Sequence, residues 1–323
     1  MRWNISFLFG LVLAAAMPGM AGQGVFTTEE WIQHDCGVVE GFNAVWGVSR
    51  DEVYAVGMQG TVVKFDGRSC RPQVNGTFDS LFGVWGTSNS DIWAVGEHGI
   101  IVHSDGGAWR PVQTSPVTEN SLAAVWGASR DDVFAVGENG TILHFDGSTW
   151  KPQVSGTQAH LRTIWGTSPR NVYAVGSGAT LLHFDGARWS NLLADTPFIG
   201  GVRALWGSTG NNVWIIASAP GLSYNDPDSG QPSWSGAVFE VVPGRFPTFQ
   251  RLNDLDVGVS AVHVSPNGNA WIVVPPGRVL HVEGSMSSVV SENAPSGIRG
   301  IWRAPNDELF AVSRSSLFTY RLP

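Results

Sequence analysis

The sequence is poor in charge and in cysteine. Only 14% of its 323 residues are Asp, Glu, Lys or Arg, against about a quarter in an average chain. Two cysteines, Cys36 and Cys70, exclude a scaffold stapled by several disulfides and a cysteine-rich zinc module. No run of Lys or Arg occurs, and 27 acids stand against 19 bases for a net charge of −8. That balance argues against nucleic acid or an anionic membrane as the main partner. Past the first residues no apolar run approaches the ~18 residues of a membrane helix. No segment sustains a 3.6-residue period, which removes α/β folds. A hydrophobic content of 43% still supplies a sizeable core, so wholesale disorder is excluded.

The chain begins with Met1 and Arg2, an apolar run over 5–16 and small residues near Ala21. This pattern reads as a secretory signal peptide over 1–21, which implies a secreted or periplasmic product and no stable membrane insertion after cleavage.

What the sequence has in excess is glycine and tryptophan, 40 and 15 residues. The tryptophans recur. Val45-Trp46-Gly47, Val84-Trp85-Gly86, Val125-Trp126-Gly127, Ile164-Trp165-Gly166 and Leu205-Trp206-Gly207 line up in order. A degenerate copy, Val262-His263-Val264, and a last one, Ile301-Trp302-Arg303, follow. A period near 40 residues marks a repeat architecture.

The third copy shows the unit. Its strands read as a (122–126), b (133–136), c (141–145) and d (150–154), with Pro152 suited to an outer edge. Asn139-Gly140 is a type I′ hairpin signal between b and c, and Asp146-Gly147 turns c into d. Four antiparallel strands in about 40 residues make one propeller blade. Seven copies predict an all-β, seven-bladed β-propeller over 22–323, with four antiparallel strands per blade. The last copy stops at strand c, and 31–34 reads as a strand d with no a, b or c before it. The N-terminal strand is therefore expected to close the last blade.

Three columns of the repeat stand out. Two residues before each strand-a Trp the side chain is small, from Ala44 to Gly300, as crowding at the axis requires. The Trp itself reads as packing between blades, since it buries so much apolar area. An acid or amide follows each a–b turn (Glu52, Asp91, Asp132, Asn171, Asn212, Asn269, Glu308) and is expected to bond turn backbone. His103, His144, His183 and His281 share one place in strand c. Symmetry-related copies there stand too far apart to share a metal ion, so they read as structural. The two cysteines stay open. An oxidising compartment favours a disulfide, but a straight strand d separates them by about 16 Å along the blade, beyond the ~7 Å between Cα atoms that a bond tolerates.

The run from Val125 to Trp150, with Trp126-Gly127, Asp132, Asn139-Gly140 and Asp146-Gly147, resembles the Trp-rich propeller repeats of secreted bacterial proteins. These are related to BNR/Asp-box repeats and similar to the propeller of photosystem II assembly factors. Ser104-Asp105-Gly106-Gly107-Ala108-Trp109 comes near an Asp-box, whereas the other copies lack its serine. The resemblance implies a propeller with a binding or assembly role and fixes no ligand.

Candidate sites are sought where the repeat breaks. Three residues before the strand-a Trp the copies read Asn43, Phe82, Ala123, Arg162, Arg203, Ser260 and Arg299. This slot lies at the inner end of the face that carries the d–a connections and b–c hairpins. Arg162, Arg203 and Arg299 would make a basic mouth inside a rim of acids, suited to carboxylate or phosphate, or would pair with those acids. The fifth copy inserts a long loop between strands b and c over 218–236, where Tyr224 and Trp234 are candidates for partner contact. Asp226 and Asp228 in it form a weak calcium candidate, with too few oxygens for that ion. The expectation is a secreted, non-catalytic, monomeric propeller with no cofactor that binds a protein or glycan. The alternatives are a sialidase-like enzyme, for which only Tyr224 is placed to act as nucleophile, and a structural cell-surface repeat protein.

Overall fold

The computed structural model describes residues 30–112, 117–194, 202–207, 213–225, 232–241, 250–255, 259–265, 269–283 and 286–322. The signal segment, Asp226 and Asp228 lie outside these residues.

Strands a to d of blade 1 are Phe42–Ser49, Glu52–Gly57, Val62–Phe65 and Cys70–Pro72. Blade 2 has Leu81–Ser88, Asp91–Gly96, Ile101–Ser104 and Trp109–Pro111. Blade 3 has Leu122–Ser129, Asp132–Gly137, Ile142–Phe145 and Trp150–Gln153, and blade 4 has Leu161–Ser168, Asn171–Gly176, Thr180–Phe184 and Trp189–Asn191. Blade 5 has Val202–Gly207, Val213–Asn225, Pro232–Val241 and Gln250–Leu255, and blade 6 has Ala261–Val264, Ala270–Val274, Arg278–Glu283 and Met286–Ser291. The expectation of seven whole blades is corrected: six blades, not seven, are runs of four consecutive antiparallel strands. The last repeat supplies only Gly300–Arg303, Glu308–Val312 and Leu317–Arg321. Ile32–His34 pairs with its third strand, in the register Ile32↔Thr319, Gln33↔Phe318 and His34↔Leu317. This composite sheet, shared by two distant stretches of chain, completes a ring in which each inner strand touches the next.

The hairpins follow from their residues. Asn139 and Gly140 have φ of 53° and 69°, the left-handed pair that a type I′ turn needs. The turn is closed by Thr141 N donating to Glu138 O at 2.9 Å. At the c–d turns an aspartate folds the chain by accepting backbone N–H groups. Asp66 Oδ1 takes those of Arg68 and Ser69, Asp146 Oδ1 those of Ser148 and Thr149, and Asp185 Oδ1 those of Ala187 and Arg188. These bonds hold all three carboxyls below their ordinary range, with the Lys151 ammonium the first cause at Asp146.

The Trp-Gly dipeptides bind blade to blade. A Cβ on Gly47, Gly86, Gly127 or Gly166 would lie 2.5–2.9 Å from the indole of Trp302, Trp46, Trp85 or Trp126. Trp302, Trp46, Trp85 and Trp126 thus each lie on the glycine of the next blade, and at those four positions the glycine is required by close approach; the slot after Trp206 holds Val264 instead. The packing role is present, but it is incomplete. Trp46, Trp85, Trp126 and Trp165 are only half-buried and line the central channel. At blade 6 the ring holds His263 in a Trp slot, and the following glycine slot holds Arg303.

Two columns prove to be one device. Glu52 bonds Lys64 at 3.0 Å, Asp91 meets His103 at 2.8 Å, Asp132 meets His144 at 3.1 Å and Asn171 meets His183 at 2.8 Å. The expected bonding of these acids to turn backbone is therefore replaced by a bond across strands b and c. Each His also lies against the strand-b aromatic: Trp93–His103, Phe134–His144 and Tyr173–His183 have centroids 3.9, 4.2 and 4.5 Å apart. Buried Asp91 additionally accepts from Trp93 Nε1 at 3.1 Å and Thr87 Oγ1 at 2.5 Å. Asp91→Ala orphans three donors and is expected to cost about 2–4 kcal/mol. Asp91→Asn reproduces the arrangement of blade 4 and should cost well under half of that, read from urea unfolding midpoints.

The straight strand d that would hold the two cysteines apart does not occur. Cys36 and Cys70 are bonded, with Cα atoms 4.7 Å apart. Strand d of the composite sheet stops at His34 rather than running straight on. Asp35 Oδ1 then accepts the N–H of Gly37, whose φ is 63°, and the chain turns toward blade 1.

Candidate functional site

The slot that breaks the repeat has a structural cause. Strand a slips register between Phe42 and Ala44, Leu81 and Gly83, Leu122 and Ala124, Leu161 and Thr163, and Val202 and Ala204. Residues 43, 82, 123, 162 and 203 are therefore bulge residues, and a bulge re-aims a side chain. In the composite sheet Arg299 N donates to Val312 O, while Gly300 is the residue that pairs with Val312. The bulges and the small residues beside them line an axial cavity of about 400 Å³ that includes Asn43, Phe82, Ala123, Arg162, Ser260 and Arg299.

Arg162 is exposed at this mouth and has no hydrogen bond or ion pair among the described residues. Arg299 Nη1 donates to Asn43 Oδ1 at 3.0 Å, and Asn43 in turn donates to Leu81 O at 2.9 Å. Arg203 occupies the equivalent bulge in strand a of blade 5. Pairing of Arg162 or Arg299 with a rim carboxylate does not occur among the described residues. The rim acids have other work. Glu97 and Glu138 accept the N–H groups of Ser80 and Ser121, and Asp79 meets His98 Nδ1 at 3.0 Å. That bond raises the His98 pKa. Asp79, Glu97 and His98 bring ligand atoms within 4.8 Å of one another, but each already has its protein partner.

Sequence reasoning missed Arg314. It stands in the b–c hairpin of the last repeat and shares two surface cavities with Arg299, one of them also lined by Val39 and Met58. Its signal was present: Ser313-Arg314-Ser315-Ser316 replaces the glycine-containing turn of the earlier copies.

The blade 5 insertion is corrected from loop to hairpin. Strand b extends to Asn225 and strand c begins at Pro232, with Ser223↔Trp234, Tyr224↔Ser233 and Asn225↔Pro232 as pairs. Tyr224 and Trp234 thus stand near the tip of a two-stranded arm. A register shift between Ser218 and Ser223, around Pro220-Gly221, absorbs the extra residues. Tyr54, Tyr173 and Tyr320 are buried and pack in the core.

Burial governs several histidines. It pushes the His263 pKa down to about 3, with Arg303 adding to the effect, and it lowers His34, His183 and His281. The unfolded chain takes up protons at these sites near pH 6.5, before the folded chain does. Stability is therefore full above that pH and is lost as pH falls toward 3. A falling melting temperature between pH 7 and pH 4, less steep in a His263→Gln variant, is the expected result.

No protein-family model and no curated protein matches this sequence. Solved structures do. The structure described as "YCF48 bound to D1 peptide" aligns over 91% of this chain and 97% of its own, at 16% identity and a TM-score of 0.68. YCF48 from Cyanidioschyzon merolae aligns over 90% and 98%, at 14% identity and 0.68. A streptogramin B lyase aligns over 91% and 98%, at 11% identity and 0.70. At these identities the likeness is one of fold, and it includes binding propellers and an enzyme.

Proposed function

We propose that this chain is a non-enzymatic, monomeric binding propeller, free of cofactors, that acts outside the cytoplasm. Its face of d–a connections and b–c hairpins docks an acidic segment of a protein partner. The observation that carries this reading is the mouth itself: Arg162 and Arg299 line one axial cavity without a carboxylate partner among the described residues. Guanidinium groups so placed suit bidentate binding of carboxylates. The same face carries apolar contact area. Val39, Val74, Phe78 and Val154, all in d–a connections, are 87–92% exposed, and exposed apolar side chains gathered on one face mark contact surfaces. A propeller of similar fold is described as bound to a peptide. The disulfide and the signal-like segment both accord with an oxidising compartment. Among the described residues no helix is long and apolar enough to cross a membrane.

A peptide array probed with the purified protein is expected to return acidic sequences, with binding that weakens as salt rises. The triple variant Arg162→Ala, Arg203→Ala, Arg299→Ala should lose about ten-fold or more in affinity while melting as the parent does. Unchanged binding by that variant, or an array with no preference for acids, would overturn the reading. Selective signal on a glycan array instead would point to the glycan alternative.

A further inference from the structure

The arginine mouth is one end of the axial channel. The other end is a cavity of about 530 Å³, lined by Trp46, Trp85, Trp126, Trp165 and Trp302 together with His263 and Arg303. All five tryptophans line the cavity on the arginine side as well. They form the waist of the channel.

The waist is rich in donors. None of the five indole N–H groups has a hydrogen-bond partner among the described residues, and none is among the buried polar atoms left without one. The five side chains line the channel, and an indole nitrogen only donates. Arg303 adds a cation at the far end. Its guanidinium lies 4.7 Å from the Trp271 ring centroid and pairs with Asp307, while its Nε is buried with no partner. Acceptors are scarce. Among the described residues no carboxylate lines either cavity, in a chain whose acids outnumber its bases by 27 to 19. Thr167 and Ser265 supply the side-chain hydroxyls at this end.

We propose that the tryptophan end of the channel binds a small aromatic carboxylate. The ring lies among the indoles, and the carboxylate accepts from indole N–H groups and Arg303. The cavity has the volume of a small-molecule site. A donor-rich, aromatic wall matches a ligand that is flat, apolar and acceptor-only at its polar end. A sugar brings a donor with every hydroxyl, for which this wall has few acceptors. The site opens away from the arginine mouth, and the proposal does not rest on the partner-binding reading.

The test is titration of intrinsic tryptophan fluorescence with benzoate, benzamide and glucose at fixed ionic strength. Benzoate should give a saturable change with a dissociation constant at least about ten-fold below that of benzamide, since a charged acceptor strengthens each bond. Glucose should give none. Trp126→Phe keeps an aromatic face and removes one donor, and should weaken benzoate several-fold. Arg162→Ala with Arg299→Ala should leave benzoate binding unchanged, which separates this site from the other mouth. Equal binding of benzoate and benzamide, saturation by glucose, loss of benzoate binding in the arginine variant, or no saturable response would each overturn the proposal. The comparison of benzoate with benzamide on the parent protein decides the matter even where a tryptophan variant fails to fold.

Discussion

Removing the Cys36–Cys70 bond, by Cys36→Ser with Cys70→Ser, is expected to lower the unfolding free energy by about 3–4 kcal/mol. The bond joins residues 34 apart in sequence, and closing a loop of that size restricts the unfolded chain by about this amount. Its position adds a local effect. Cys36 is buried in a cluster with Phe42, Phe65, Trp302 and Phe310, so its sulfur also fills the junction between blade 1 and the composite sheet. The strand it secures has only three residues, Ile32–His34, and lies at an outer edge. Denaturant unfolding with and without reductant measures the effect. An unfolding midpoint that does not move, with the thiols shown to be free, would mean that pairing of Ile32–His34 and stacking of Trp31 on Tyr320 hold this edge alone.

Gly127→Ala is expected to cost about 1–3 kcal/mol although it adds a single methyl group. The new Cβ would stand 2.5 Å from Trp85 Cη2, 2.7 Å from Cζ3 and 2.9 Å from Asp132 O. None of these atoms ends a flexible chain, so a blade must shift to admit it. The molecule supplies the rescue. Where the ring carries His263 in place of Trp, the following slot accepts Arg303 in place of Gly. In a Trp85→His background the Gly127→Ala step should therefore lose more than about half its cost, a coupling that a double-mutant cycle reads directly. A cost that is the same in both backgrounds would place the strain at Asp132 O alone and deny the ladder its role.

Much of this was legible because a repeat averages out local ambiguity. Asn139-Gly140 alone suggests one hairpin, whereas turn glycines at Gly60, Gly99 and Gly140, each at the same distance from a strand-a Trp, give the blade. Closure by the N-terminal strand could be read because the last copy lacked a strand d and 31–34 offered one. What was missed depended on contacts between columns. Asp132 and His144 were each assigned a structural role in isolation, but their constant twelve-residue separation, seen again at Asp91–His103 and Asn171–His183, is that of two facing strands. The disulfide stayed open because nothing in the composition of strand d marks its end at His34, where Asp35 and Gly37 turn the chain. The mouth was legible in part. Arg162 and Arg299 stood out against the repeat, while the bulge that carries Arg162 is a register slip with no residue signature of its own. Arg314 lay in a hairpin that was counted only as a turn.

The composite sheet has a consequence for how the protein is made. Blades 1 to 6 are assembled from contacts close in sequence, which form fast. Ile32 opposite Thr319 is a pairing of the opposite kind, and no part of it can form until the last repeat has left the ribosome. A molecule caught before that moment presents the unpaired edge of Leu317–Arg321, the kind of edge that recruits a strand from another chain. Newly made protein is therefore most exposed to exchanging its first strand with a neighbour in the interval between the arrival of its two ends.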